Sequence, residues 1–347
     1  MKGIRAIVYG VGRVGKLATR LMVEKGIEIV GAVNRAGPKV NRDLGEVAEL
    51  GYRLNVTVSD DADAVLSQAA ADVVLVCVYD DMERMFPIYK NCIEHGLNVI
   101  SVGAHASYPW RIAPEITATL DRLAKTHKVT ITGSGNQDFF MVNVASLASG
   151  VCHRIDAITY RSLTDVNAFG PEVAEIAHVG ETRETYNERA IAAHEQPLSV
   201  YTTFWDNLSA DLGLQITDVR QNTEPLVGER ELVCTSLNAT VSAGRIIGIA
   251  QRIEVATQEG ITMLGEYILK VCAEDEEEYK AWSIRGEPDL NIRLDKLSPG
   301  FTTASQPVNR IPDVINSKPG FVTLEQLPKL RYRVNPLSSY LTADIGA

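Results

Sequence analysis

IRAIVYGVGRVGK, residues 4–16, joins a short apolar run to an amphipathic segment through three glycines in Gly-x-Gly-x-x-Gly spacing. A strand before this spacing and a helix after it are the context in which the motif cradles a dinucleotide. Gly10 permits the tight turn, Gly12 lets a pyrophosphate approach the backbone, and Gly15 lets helix and strand pack closely. The helix N-terminus, with Arg13 and Val14 in its first turn, faces the negative charge. Gly10, Gly12, Arg13, Val14 and Gly15 are therefore expected cofactor contacts, against the plainer reading of a glycine turn without a ligand.

The rest of the first 150 residues repeats the unit. Gly12–Lys25 is expected as a helix, followed by the strand IEIVGAVN. DVVLVCVY, a helix from Asp81 to His95, LNVIS, a helix from Pro114 to His127 and VTITGSG continue the series. Continuous Val/Ile runs alternating with helices indicate a parallel sheet buried on both faces, a doubly wound Rossmann-type α/β domain over 1–150. From about Val151 the pattern becomes alternating in RIDAITYRSL, LVCTSL, LNIRL and the long RIIGIAQRIEVATQEGITMLGEYILKVCA, with TQEG as a hairpin turn. This predicts a second α+β domain over 151–300 with a mainly antiparallel sheet, for substrate binding or oligomerisation. Phe169–Glu195 reads as helical, and CAEDEEEYKAW as a solvated acidic loop or helix start.

Composition removes several classes of function. The 347 residues carry a formal net charge of −10, which opposes binding to a phosphate backbone, so no nucleic-acid partner is expected. No apolar run reaches the roughly 18 residues of a membrane span, and the opening lacks the order of a secretion signal, so the expectation is no membrane partner and a cytoplasmic protein. Five cysteines without a Cys-x-x-Cys pair give neither a disulfide framework nor a metal site. Gly-x-Ser-x-Gly and His-Glu-x-x-His are both missing, so hydrolase chemistry has no support.

About 20 residues beyond the glycines, where an NAD site places an acid on the ribose, stand Asn34 and Arg35, with Lys39 beyond. Arginine offers a 2′-phosphate a fork of donors, which favours NADP over NAD; alternatively Arg35 is a solvated residue at a strand end. Ligands in such sheets bind beyond the carboxyl ends of the strands. That rule selects CVYDDMERM, with Val78, Tyr79 and Met82 as cofactor wall, SVGAHASYPW, with Gly103 beside the cofactor, and GSGNQDFFMVN. Hydride transfer to a C=O or C=N carbon needs a proton donor, and His105 at a strand end is the first candidate. Tyr108 and Asp138 support it as catalytic residues, and Asn136, Gln137, Phe140 and, from the second domain, His178 as substrate contacts. The competing readings are that His105 bonds a loop backbone and that Asp138 caps a helix.

YGVGRVGK, DLGEVAELG, DVVLVCVYD, HGLNVIS followed by YPW, SAGRIIGI and TTASQPVNRIPDVINSKPGFVTLEQLP, taken in order, resemble the dihydrodipicolinate-reductase-like family that includes 2,4-diaminopentanoate dehydrogenase and the native amine dehydrogenases. The similarity spans Ile4 to Leu330. It implies NAD(P), a Rossmann domain, a C-terminal helix over 301–330 returning to it before a tail at 331–347, often a homodimer, and Asn309 as a cofactor contact. Two departures fall at the reacting end. The relatives have a glutamate after the fifth strand where this chain has Ala104 and His105. They also have Asn-Pro-Gly-Phe after the sixth, where this chain has Gln137, Asp138, Phe139 and Phe140. The expectation is an NADP(H)-dependent oxidoreductase, NAD possible, acting on a small, partly apolar carbonyl, imine or amine. It is either an amine dehydrogenase in which Asp138 or His105 replaces the glutamate, or an ammonia-independent reductase with His105 as acid. The alternative is an NADP-binding sensor without catalysis.

Overall fold

The computed structural model describes residues 3–192 and 198–342, in two compact units. The first begins with β1 (Arg5–Tyr9), α1 (Arg13–Glu24), β2 (Glu28–Val33), α2 (Leu44–Val47), β3 (Val58–Ser59) and α3 (Ala62–Gln68). It continues with β4 (Val73–Val76), α4 (Met82–Glu94), β5 (Asn98–Ser101), α5 (Pro114–His127) and β6 (Thr130–Gly133). The strands are short and apolar because both faces are covered, and all four residues of β4 are buried. Helices stop where left-handed backbone is available: Gly26 at φ +76° after α1 and Gly96 at φ +72° after α4.

Unit 1 gives way to unit 2 after Asn143, earlier than the expected boundary at 150. A π-helix at Asp138–Asn143 runs directly into α6 (Val144–Ser149), so the chain changes unit inside a helical segment where no turn signal marks it. Unit 2 holds β7 (Arg154–Asp165), α7 (Pro171–Ile176), α8 (Arg183–Ala192), α9 (Thr202–Leu212), β8 (Ile216–Val227), β9 (Leu232–Cys234), β10 (Ala239–Val241), β11 (Ile246–Thr257), β12 (Thr262–Lys270), β13 (Tyr279–Glu287) and β14 (Leu290–Asp295). Its main sheet has the order β14-β13-β7-β12-β11-β8, antiparallel except for the β7–β12 pair. The hairpin turn at TQEG is present between β11 and β12. CAEDEEEYKAW departs from expectation: from Tyr279 it is β13, with Lys280 and Trp282 buried in alternation. The block of acids obscured a period-2 pattern that begins only at its end. The end of the expected helical stretch Phe169–Glu195 lies outside the described residues.

α10 (Pro299–Ile315) brings the chain back, and from Phe301 it belongs to unit 1. β15 (Gly320–Phe321) then pairs with β6, completing a parallel sheet of order β15-β6-β5-β4-β1-β2-β3. The core on one face gathers Ile4, Val8, Met22, Leu44 and Val308; that on the other gathers Ile7, Met85, Ile93, Leu120 and Phe321. The stretch expected as a tail packs on unit 1 as far as it is described: Arg333 and Leu337 are buried, and Leu337 N donates to Lys25 O at 3.0 Å. Residues 343–347 lie outside the described residues. Among the described residues no helix is long and apolar enough to cross a membrane.

Candidate active site

The three glycines do different work. Gly10 stands at φ +96°, and its amide donates to Val33 O at 2.8 Å, turning the chain out of β1. A Cβ on Gly15 would lie 1.9 Å from Gly10 O, so only glycine lets α1 sit this close to the turn. Gly12 is the reverse case: it caps α1, and a Cβ there would meet nothing within 4 Å. Open space over a helix N-terminus is what a pyrophosphate requires. Val14 is half-buried beside it, and Arg13 is exposed at the first position of α1.

The edge of this cradle is basic. Asn34 Oδ1 accepts from Val11 N at 3.0 Å, and its Nδ2 donates to Arg35 O, so Asn34 ties β2 to the glycine turn. Lys39 Nζ donates to Val11 O at 2.6 Å. Partial burial, then the charges of Lys16 and Arg35, hold the Lys39 ammonium below its ordinary value. Lys16 pairs with Glu49, and Arg35 is exposed. The residues present thus fit a dinucleotide. On the other side of the turn, a Cβ on Gly10 would meet Cys77 O at 2.3 Å and Val78 Cγ2 at 3.0 Å, so the end of β4 closes against the glycines. Burial pushes the Cys77 thiol up to about 12, which keeps it protonated at neutral pH.

Beyond β5, Ser101 Oγ accepts from Tyr89 OH at 2.6 Å and from Gly103 N at 3.0 Å, fixing the strand end. A 3₁₀ turn at Ala104–Ser107 carries His105, half-buried, and leads to Tyr108. A Cβ on Gly133 at the end of β6 would lie 2.3 Å from Ala106 C, so the ends of β5 and β6 press together around this turn. Burial pulls the His105 imidazole below its ordinary value, while the carboxylates of Asp80 and then Asp81 oppose that shift. Tyr79 is partly exposed with the Arg84 guanidinium 3.6 Å over its ring, and Met82 is buried.

Asp138 is not the free carboxylate expected for a substrate nitrogen. Its side chain is wholly buried and pairs with Arg310, also wholly buried, through Nε at 2.7 Å and Nη2 at 2.8 Å. Ser134 Oγ and Asn143 Nδ2 donate to the same carboxylate. The pair neutralises it and occupies both oxygens, so Asp138 holds the start of the π-helix to α10. Arg310 also reaches Asp313, which pairs with Arg333. Burial lowers the Arg310 guanidinium, but the charges and hydrogen bonds of Asp138 and Asp313 together outweigh it and leave the group above its ordinary value. Around this pair, Asn136 Oδ1 accepts from Thr302 Oγ1 at 3.2 Å and Phe140 is buried. Gln137 is buried, and among the described residues its Nε2 has no hydrogen-bond partner. Asn309 is half-buried on α10, one residue before Arg310. His178 belongs to unit 2, at φ +55°, packed edge-on to Tyr186 with Nδ1 3.4 Å from Glu181 Oε1.

Three participants carry little or no signal in the sequence. Asp80 lies beside Asp81, and one aspartate suffices to cap α4. Arg310 carries a weak signal, a cation three residues before Asp313 in RIPDVI. Lys16 had none, since a lysine in the first turns of a helix is unremarkable.

A Rossmann sheet with a ligand-ready glycine turn, and proton-active residues at the strand ends, defines an NAD(P)-dependent oxidoreductase. Residues 139–342 match the 2,4-diaminopentanoate dehydrogenase C-terminal domain family. The chain is 28% identical to 2,4-diaminopentanoate dehydrogenase of Acetoanaerobium sticklandii, over 94% of each chain. It is 30% identical to an amine dehydrogenase of Streptomyces virginiae over 113 residues, 32% of this chain and 31% of that one. The solved amine dehydrogenase of Mycobacterium smegmatis superposes with a TM-score of 0.92 at 36% identity, covering 96% of this chain and 98% of that one. The chain therefore belongs to the 2,4-diaminopentanoate dehydrogenase and amine dehydrogenase family.

Proposed function

We propose that this chain is an NADP(H)-dependent oxidoreductase of the amine dehydrogenase type, acting on the C=N or C=O carbon of a small, partly apolar substrate. The observation that carries the reading is His105, held half-buried at the end of β5 on the same sheet edge as the glycine cradle. When bound, the dihydronicotinamide supplies the hydride. His105 supplies or removes the accompanying proton at the substrate oxygen or nitrogen, Tyr108 assists it, and Gln137 Nε2, a buried donor without a partner among the described residues, holds a substrate acceptor. Val78, Tyr79, Gly103 and Asn309 line the coenzyme. Arg35 and Lys39, with Arg13 nearby, favour a 2′-phosphate and hence NADP over NAD. Asn136 and Phe140 of unit 1 contact the substrate, and unit 2 provides the substrate and oligomerisation domain of a cytoplasmic homodimer.

The test is NADPH oxidation with a panel of short-chain and cyclic ketones, with and without ammonium. Turnover that requires ammonium supports amine formation; turnover indifferent to it supports ketone reduction. NADPH binding without turnover under either condition would support a sensor instead, and an His105→Ala variant with undiminished turnover would remove His105 from its role.

A further inference from the structure

The loop after β4 carries two consecutive aspartates, and the fold uses one of them for its own construction. Asp81 caps α4, accepting from Arg84 N at 2.8 Å. Asp80 is exposed and reaches across the sheet end instead, its Oδ1 accepting from Ala104 N at 3.0 Å. Ala104 is the residue before His105. The approach of the two loops is built in: a Cβ on Gly103 would lie 2.6 Å from Tyr79 O and 3.4 Å from Asp80 Cα, so glycine at 103 is the condition for Asp80 to reach that amide. Arg84, in the first turn of α4, is engaged over the Tyr79 ring. Asp80 and Asp81 are the charged groups that act on the half-buried imidazole, Asp80 the more strongly.

We infer that Asp80 is a positioning residue of the site: it fixes the His105 turn through the Ala104 amide and keeps a negative charge beside the imidazole, forming an Asp–His couple drawn from two adjacent strand ends. The inference rests on the reading of His105 as the proton-transfer group. In the direction of reduction the imidazolium gives its proton to the substrate heteroatom and becomes neutral, and Asp80 takes no part in the transfer. Its charge opposes the downward pull that burial exerts on the imidazole.

Asp80→Asn tests this cleanly, because the amide oxygen still accepts from Ala104 N while the charge is gone. The titration of His105, followed by NMR in the full-length protein and assigned with His105→Ala, is expected to move to lower pH in D80N and by less in D81N. With NADPH, ammonium and the ketone from the panel that wild type turns over fastest, kcat of D80N is expected to fall about tenfold, a modest part of what acid–base groups contribute. NADPH affinity should hold, and D80E should recover part of kcat. The D80N/H105A double variant should be no slower than H105A. A His105 titration unmoved in D80N, or losses that add in the double variant, would overturn the inference. If H105A alone lost nothing while D80N still moved the titration, the reading of His105 would fall and the couple would stand.

Discussion

Replacing Arg310 with methionine isolates the buried ion pair that anchors the strand-end loops. Both side chains of the pair are wholly buried, and Asp138 takes two of its hydrogen bonds from Arg310. Methionine keeps the length and most of the volume of the arginine stem, so little packing is lost. What remains is a buried carboxylate with only Ser134 and Asn143 as donors, and an uncompensated charge of this kind costs about 3–5 kcal/mol. For a unit of this size each kcal/mol is worth about 2–4 °C, so the melting temperature should drop by roughly 6–20 °C. Calorimetry on the wild type, R310M and the double variant D138N/R310M gives the magnitude and its origin together. The double variant should recover most of the loss, because it removes the orphaned charge rather than a contact. An R310M protein within about 1 kcal/mol of wild type, or a double variant less stable than the single, would show that the pair does not hold this part of the fold.

Three further outcomes are expected. Gly15→Ala must part α1 from the turn, since the new carbon would sit 1.9 Å from Gly10 O, and NADPH affinity by fluorescence titration should fall at least about tenfold; unchanged affinity would contradict the cradle. Arg35→Ala should weaken NADPH by about 10–100-fold while leaving NADH unchanged, the worth of one charge-assisted hydrogen bond, and equal loss for both coenzymes would remove the 2′-phosphate assignment. Burial pulls the Lys280 ammonium down to about 8, with Glu278 opposing it. The unfolded chain therefore binds more protons between about pH 8 and 10.5, so this residue makes stability rise with pH across that window by about 3 kcal/mol. Urea midpoints at pH 8 and 10 should show that rise relative to Lys280→Met, and parallel curves for the two proteins would refute it.

Much of unit 1 was legible because its information is local. Each strand–helix repeat is short, its strands are continuously apolar, and its helix ends are marked by glycines, so period and punctuation agree within windows of about a dozen residues. The three glycines likewise announce their roles by spacing alone, and His105 is exposed to inference because a strand end is where such sheets bind ligands. Membership of the family was readable for the same reason, as an ordered series of motifs along the chain.

What the linear chain could not disclose is which charges are spent on each other. Asp138 and Arg310 are far apart in sequence, and only the return of α10 to unit 1 turns a candidate catalytic acid into half of a buried ion pair. Asp80 and Ala104 come together only because β4 and β5 lie side by side. Burial and pairing set the proton affinity of a side chain, and both are properties of neighbours that tertiary contact supplies. The sequence by itself thus determined the sheet, the glycine cradle and the edge where chemistry can occur; the tertiary structure decided which carboxylate on that edge is spent in a buried ion pair and which one holds the turn that carries His105.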